Sequence, residues 1–131
     1  MRIFWAVAVG AAAGGVSRYY LSLAVQQRLG ADFPWGTLLV NVTGSLLLGF
    51  LMRYALATPS FSAEMRLLLT TGFCGGYTTF STFSYETVML LEDGRYERAG
   101  AYVAGSLIVA LVATAFGFIL AQELIAFRAR V

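Results

Sequence analysis

Residues 75–84 read GGYTTFSTFS, which sets two glycines and five serine or threonine hydroxyls inside an otherwise apolar run. From Met65 to Leu91 that run is long enough, at about 1.5 Å of rise per residue, to cross ~30 Å of hydrocarbon as a helix. Its middle is built from poor helix formers. Adjacent glycines favour a break, and broken backbone at membrane depth is tolerated only where protein buries it or a polar cavity meets it. The stretch therefore predicts an interrupted third membrane helix with an ion or substrate site at the interruption.

Composition agrees with a membrane chain. The 131 residues are 59% hydrophobic and 12% charged, against about 25% charged in soluble domains. Mean hydropathy is +0.74. Four spans of ~20 residues would use roughly 80 and leave short loops, so residues 1–131 are expected to form a single four-helix transmembrane domain. The net charge of +2 comes from nine arginines and no lysine. Most of those arginines fall at span ends, where they reach headgroups, and this gives a nucleic-acid partner no support. The absence of histidine excludes Ser-His-Asp and Cys-His catalysis and any His-ligated metal. Cys74, the single cysteine, has no partner for an intrachain disulfide and sits among Phe73 and Gly75 as a packed, inert thiol.

Working outward, the first span is expected from about Ile3 to Val25; it continues too far past Arg18 to read as a signal peptide. The second runs from about Trp35 to Ala57, the third is the interrupted one, and the fourth runs from about Tyr96 to Phe127. Small residues four apart (Gly10 with Gly14, Ser45 with Gly49, Gly72 with Gly76, Ala101 with Gly105, Ala113 with Gly117) predict close helix packing. Four spans put Arg2, Arg53, Arg66, Arg128 and Arg130 on one side, and Arg28, Arg95 and Arg98 on the other with Arg18 leaning that way. So even a split is a weak vote under the positive-inside rule. It allows insertion both ways, and with it an antiparallel homodimer.

Several side chains could carry the chemistry. Phe80 and Phe83 share one helix face and sit in a repeated Thr-Phe-Ser triplet, where positive ring edges could solvate a small anion. Asn41, near the centre of span two, serves equally well as interhelical glue or as a donor to an anion. Tyr102, Ser106 and Thr114 fall on one stripe of span four, with Ala110 between them; their hydroxyls could be stepping stones for an ion or could bond to backbone carbonyls one turn back. Arg18 and Glu86 are ionisable groups inside the apolar boundaries and so are candidate functional residues. Glu86 reads as a local structural or electrostatic element, since a carboxylate repels an anion.

These residues resemble a known family. GFCGGYTTFSTFSYE (72–86), PWGTLLVNVTGSLLLGF (34–50) and GAAAGGVSRYY (10–20) are similar to the Fluc/CrcB fluoride channels, across all four spans. The resemblance implies an all-α membrane protein whose third helix is broken mid-membrane, an antiparallel dual-topology homodimer with two pores, and passive fluoride export across a bacterial plasma (inner) membrane. It implies that Asn41, Phe80, Phe83, Tyr102, Ser106 and Thr114 lie along the fluoride pathway, with Arg18 as a further candidate. Ala110 departs from the pattern by lacking a hydroxyl. The family also implies a structural Na+ at the dimer centre, held by the backbone carbonyls of Gly75 and Thr78 from both subunits. A rival reading, a small dual-topology proton-coupled exporter of cationic compounds, calls for a carboxylate in the first span. Span one has none.

Overall fold

The computed structural model describes residues 1–130, and every regular element among them is helical. α1 (Arg2–Leu29) and α2 (Trp35–Ala57) are joined by a short loop. The third pass is composite. α3 (Ala63–Leu67) runs into a π-helical turn (Leu68–Cys74) and a short α4 (Gly75–Tyr77); two extended residues follow, and then α5 (Phe80–Glu92). α6 (Tyr96–Arg128) completes the chain. The four expected spans thus appear as four helical passes, the second with the expected bounds and the other three slightly longer than hydropathy suggested.

α2 and α6 are each long and apolar enough to cross a membrane. α1 has 28 residues, about 42 Å of helix, but its Gly, Ala and Ser content and Arg18 dilute its hydropathy. α2 packs along α6, α1 packs along the π turn and α4, and α5 lies on α6. The α2–α6 contact is backbone against backbone. A Cβ on Gly49 would run into the Thr114 carbonyl, and one on Gly117 into that of Leu46, so both positions need glycine for the helices to approach this closely. Open space surrounds Gly105, so the Ala101/Gly105 pair forms no such contact within the chain. Leu107, Ile108, Leu111, Val112 and Phe116 stand exposed along α6, a surface suited to lipid or to another apolar face.

The break in the third pass falls beyond the glycine pair, which corrects the sequence reading. Gly75 is helical, at φ −64 and ψ −37. The chain leaves the helix at Thr78 (φ −86, ψ 159) and Thr79 (φ −152, ψ 119). Both conformations are extended and open to any residue, so no glycine is required there. Gly76 instead permits close packing: a Cβ there would lie 2.5 Å from the Ala11 carbonyl oxygen. The π turn upstream was not expected. Its signature is the Gly75 N–H bonding to the Thr70 carbonyl, five residues back. Thr70 Oγ1 donates to the Arg66 carbonyl at 2.8 Å, which helps to satisfy the start of the widened turn.

Candidate functional site

The helix break is held by side chains from two other passes. The last helical bond before it runs from Thr78 N–H to the Cys74 carbonyl, at 3.0 Å. The next amide, Thr79 N–H, turns to Asn41 Oδ1 at 2.8 Å, and Asn41 Nδ2 donates to the Thr79 carbonyl at 3.0 Å. Asn41 therefore serves as interhelical glue, with a second amide hydrogen left over. Thr79 then caps α5, its Oγ1 accepting from Thr82 N–H at 3.2 Å. These diversions free backbone acceptors. The helical donor for the Gly75 carbonyl is Thr79 N–H, and the donor for the Thr78 carbonyl is Thr82 N–H; both are engaged elsewhere. Orphan carbonyls of this kind at a helix end must find another partner. Arg18 Nη1 reaches the Thr78 carbonyl at 3.4 Å, so the arginine of the first pass sits beside the break.

Two grooves meet here. One, of about 310 Å³, gathers Asn41, Ser45, Phe80, Phe83, Ser106 and Thr114. Five of the predicted pathway residues thus come together from three passes. The Phe80 and Phe83 rings lie 5.6 Å apart at 41°. Phe83 is buried at 9% exposure, whereas Phe80 stands out from the chain at 77%. Ser106 is buried, and its Oγ has no hydrogen-bond partner among the described residues. A buried hydroxyl left unpaired is costly unless a ligand or water takes it. Thr114, by contrast, donates to the Ala110 carbonyl at 3.0 Å, the backbone alternative foreseen for this stripe. Ala110 also lines the groove, leaving an apolar gap between the two hydroxyls.

The second groove, of about 570 Å³, leads from the α1–α2 loop past Arg18 and Glu86. Thr79 lines both grooves. Tyr102, expected on the polar track, lines neither. It is fully buried, and its hydroxyl donates to Glu86 Oε2 at 2.7 Å. The other carboxylate oxygen accepts from Thr37 Oγ1 at 2.8 Å. Spacing within one helix could not pair these residues, because Thr37, Glu86 and Tyr102 lie on three different passes. A signal existed nonetheless: an intramembrane carboxylate with no basic neighbour in sequence must recruit hydroxyl donors. Cys74 is buried at 1% exposure, as its neighbours suggested.

The site offers neutral donors, ring edges and released carbonyls. The Arg18 guanidinium stands beside them, and no cluster of three metal-ligating side chains occurs among the described residues. The model of the CrcB-like, camphor-resistance (CrcB) family matches residues 5–118. The chain is 50% identical to the fluoride-specific ion channel FluC of Geobacter sulfurreducens over 124 residues, 95% of this chain and 100% of that protein. It is 49% identical to the FluC of Trichormus variabilis, over 89% of this chain and 86% of that one. Identity to the FluC of Chlorobaculum tepidum is 51%, over 88% and 91%. The chain belongs to the CrcB family of membrane proteins.

Proposed function

We propose that this chain is a passive fluoride-specific ion channel of the bacterial plasma membrane, with all four helical passes in the bilayer and two copies joined as an antiparallel dual-topology homodimer. The observation that carries the reading is the convergence of Asn41, Phe80, Phe83 and Ser106 on one groove beside the helix break. Fluoride is small and strongly hydrated, so a narrow path must replace its water with donors. The Ser106 hydroxyl, the spare Asn41 amide hydrogen and the positive ring edges of Phe80 and Phe83 are such donors, and none carries a full charge that would trap the ion. Arg18, in the wider groove, raises the potential for anions approaching Thr79. Glu86 has both oxygens occupied, which suits a structural post better than an ion ligand. Transport of this kind needs no catalysis.

The dimer is supported by the exposure of Phe80. A pore residue open to lipid on one side cannot enclose an ion, and a second copy would complete the wall. The same face supports a structural Na+. Gly75 is exposed, and its carbonyl and that of Thr78 are both free of helical donors, so two chains would present four hard oxygens of the kind Na+ prefers. The Thr78 carbonyl keeps a second lone pair beside its long contact to Arg18.

Purified protein in liposomes tests the reading. Fluoride efflux down its own gradient, without chloride efflux or a coupled ion, is the expected result. Proton-driven uptake of organic cations with no fluoride movement would overturn it in favour of a small cation exporter.

A further inference from the structure

We infer that the α1–α2 loop is a clamp which sets Tyr102 from outside the spanning segments, with Phe33 and Gln26 as positioning residues of the ion pathway. The inference rests on the channel reading above. The loop sequence Gly30-Ala31-Asp32-Phe33-Pro34 has little intrinsic rigidity in its first half, yet it is tied on both sides. From α1, Gln26 Nε2 donates to the Gly30 carbonyl at 2.6 Å and to the Phe33 carbonyl at 3.1 Å, and Gln26 Oε1 accepts from Gly36 N–H at 3.4 Å. From α6, Arg98 Nη1 donates to the Asp32 carbonyl at 2.9 Å and pairs with the Asp32 carboxylate at 3.6 Å. Exposed ion pairs add little stability. Here they fix where the loop lies.

What the loop delivers is the Phe33 ring. It meets Tyr102 edge to face, with centroids 5.5 Å apart at 81°. On its other side Tyr102 meets Phe83 at 5.1 Å. The tyrosine ring is wedged between a loop residue and a groove residue, and in that position its hydroxyl reaches Glu86. Ala99 and Val103 of α6 belong to the cluster around Tyr102, but the two aromatic rings against it come from the loop and from α5. Taking away the Phe33 ring opens space on the loop side, lets Tyr102 adopt another rotamer and frees Glu86 from one of its two donors. Phe33 also lines the wider groove and meets Trp35 at 4.6 Å, so it is the double variant that isolates the part of its effect passing through Tyr102.

Fluoride efflux from liposomes, measured for the wild type, Phe33→Ala, Phe33→Tyr, Tyr102→Phe and the double variant Phe33→Ala/Tyr102→Phe, tests the clamp. Phe33→Ala is expected to slow efflux about five- to tenfold, the population shift that loss of one aromatic pair produces. Phe33→Tyr keeps the ring and is expected to retain the rate. In the Tyr102→Phe background, where the Glu86 bond is already gone, Phe33→Ala is expected to change the rate less than about twofold. Gln26→Leu, which releases the loop but keeps the Phe33 ring, serves if Phe33→Ala does not fold, and slower efflux is expected there too. Wild-type rates in Phe33→Ala or Gln26→Leu, or a full additive loss in the double variant, overturn the clamp while the channel reading stands. A wild-type protein that carries no fluoride overturns both.

Discussion

Asn41 holds both backbone polar groups of Thr79, giving its amide hydrogen to the carbonyl at 3.0 Å and taking the N–H on its oxygen at 2.8 Å. No other side chain type of this size offers a donor and an acceptor side by side. Asn41→Asp keeps the acceptor but sets a carboxylate oxygen against the Thr79 carbonyl. The expected outcome is a loss of roughly 1–3 kcal/mol of stability, the cost of an unpaired buried acceptor, together with impaired fluoride flux. Thermal unfolding in detergent and liposome efflux measure the two. Unchanged values in both would show that the break holds its shape without Asn41.

Phe80 and Phe83 separate two effects that a single aromatic substitution would confuse. Phe83 belongs to the buried cluster with Leu90, Ala99 and Tyr102, so Phe83→Ile is expected to cost stability as well as flux. Phe80 is largely exposed within the chain, so Phe80→Ile is expected to leave the folded chain intact and impair flux through loss of the electropositive ring edge. Elution on gel filtration reads the first quantity and fluoride efflux the second. Normal flux in both variants would reduce the pair to packing.

The break was legible in GGYTTFSTFS because a membrane helix cannot carry that composition unbroken at no cost. Its position was not. Thr78 and Thr79 leave the helix because Asn41, 38 residues back in the chain, captures the amide that would have bonded to Gly75. That event is tertiary and leaves no local trace. The π turn is equally silent, since it is fixed by the packing of α1 against the third pass rather than by propensity. Asn41, Phe80, Phe83, Ser106 and Thr114 line one groove; spacing placed only Phe80 with Phe83 and Ser106 with Thr114, and it was the family resemblance that implied the three passes meet. Tyr102 followed the same four-residue register yet turned to Glu86, because periodicity gives a helix face and cannot say which buried partner claims a side chain on it. Gln26, Phe33 and Thr37 went unread because their partners lie on other passes.

Dual topology is testable through the α2–α3 loop. Ser60 is exposed, and the native thiol of Cys74 is buried, so a Ser60→Cys variant presents one reactive cysteine. An impermeant maleimide added outside intact cells is expected to label about half of the protein, and the remainder only after permeabilisation, as near-balanced arginines on the two sides allow. Labelling confined to one side disproves dual insertion. The channel would then need a different second subunit or a parallel assembly.

The released carbonyls at Gly75 and Thr78 carry the last expectation. Each lost its helical donor to a side chain of the same network, Asn41 for one and Thr79 for the other. The break leaves the carbonyls of residues 75–78 without their helical amides, and that of Thr78 accepts from Arg18. An unpaired carbonyl in the apolar middle of a bilayer is costly, and a ligand on the oxygens of Gly75 and Thr78 would offset part of that cost. Two antiparallel copies would bring four such oxygens around their axis. A static Na+ there would join the broken helices across the dimer, with no carboxylate near enough in sequence to tune its release. Replacing Na+ on both sides with a large organic cation is therefore expected to weaken the dimer or slow fluoride flux over hours, without making flux follow the Na+ gradient. Flux that scales with that gradient would mark a coupled transporter. A dimer equally stable and active after exhaustive Na+ removal would mean that the two carbonyls are satisfied by water or by Arg18, whose guanidinium already stands 3.4 Å from the Thr78 oxygen.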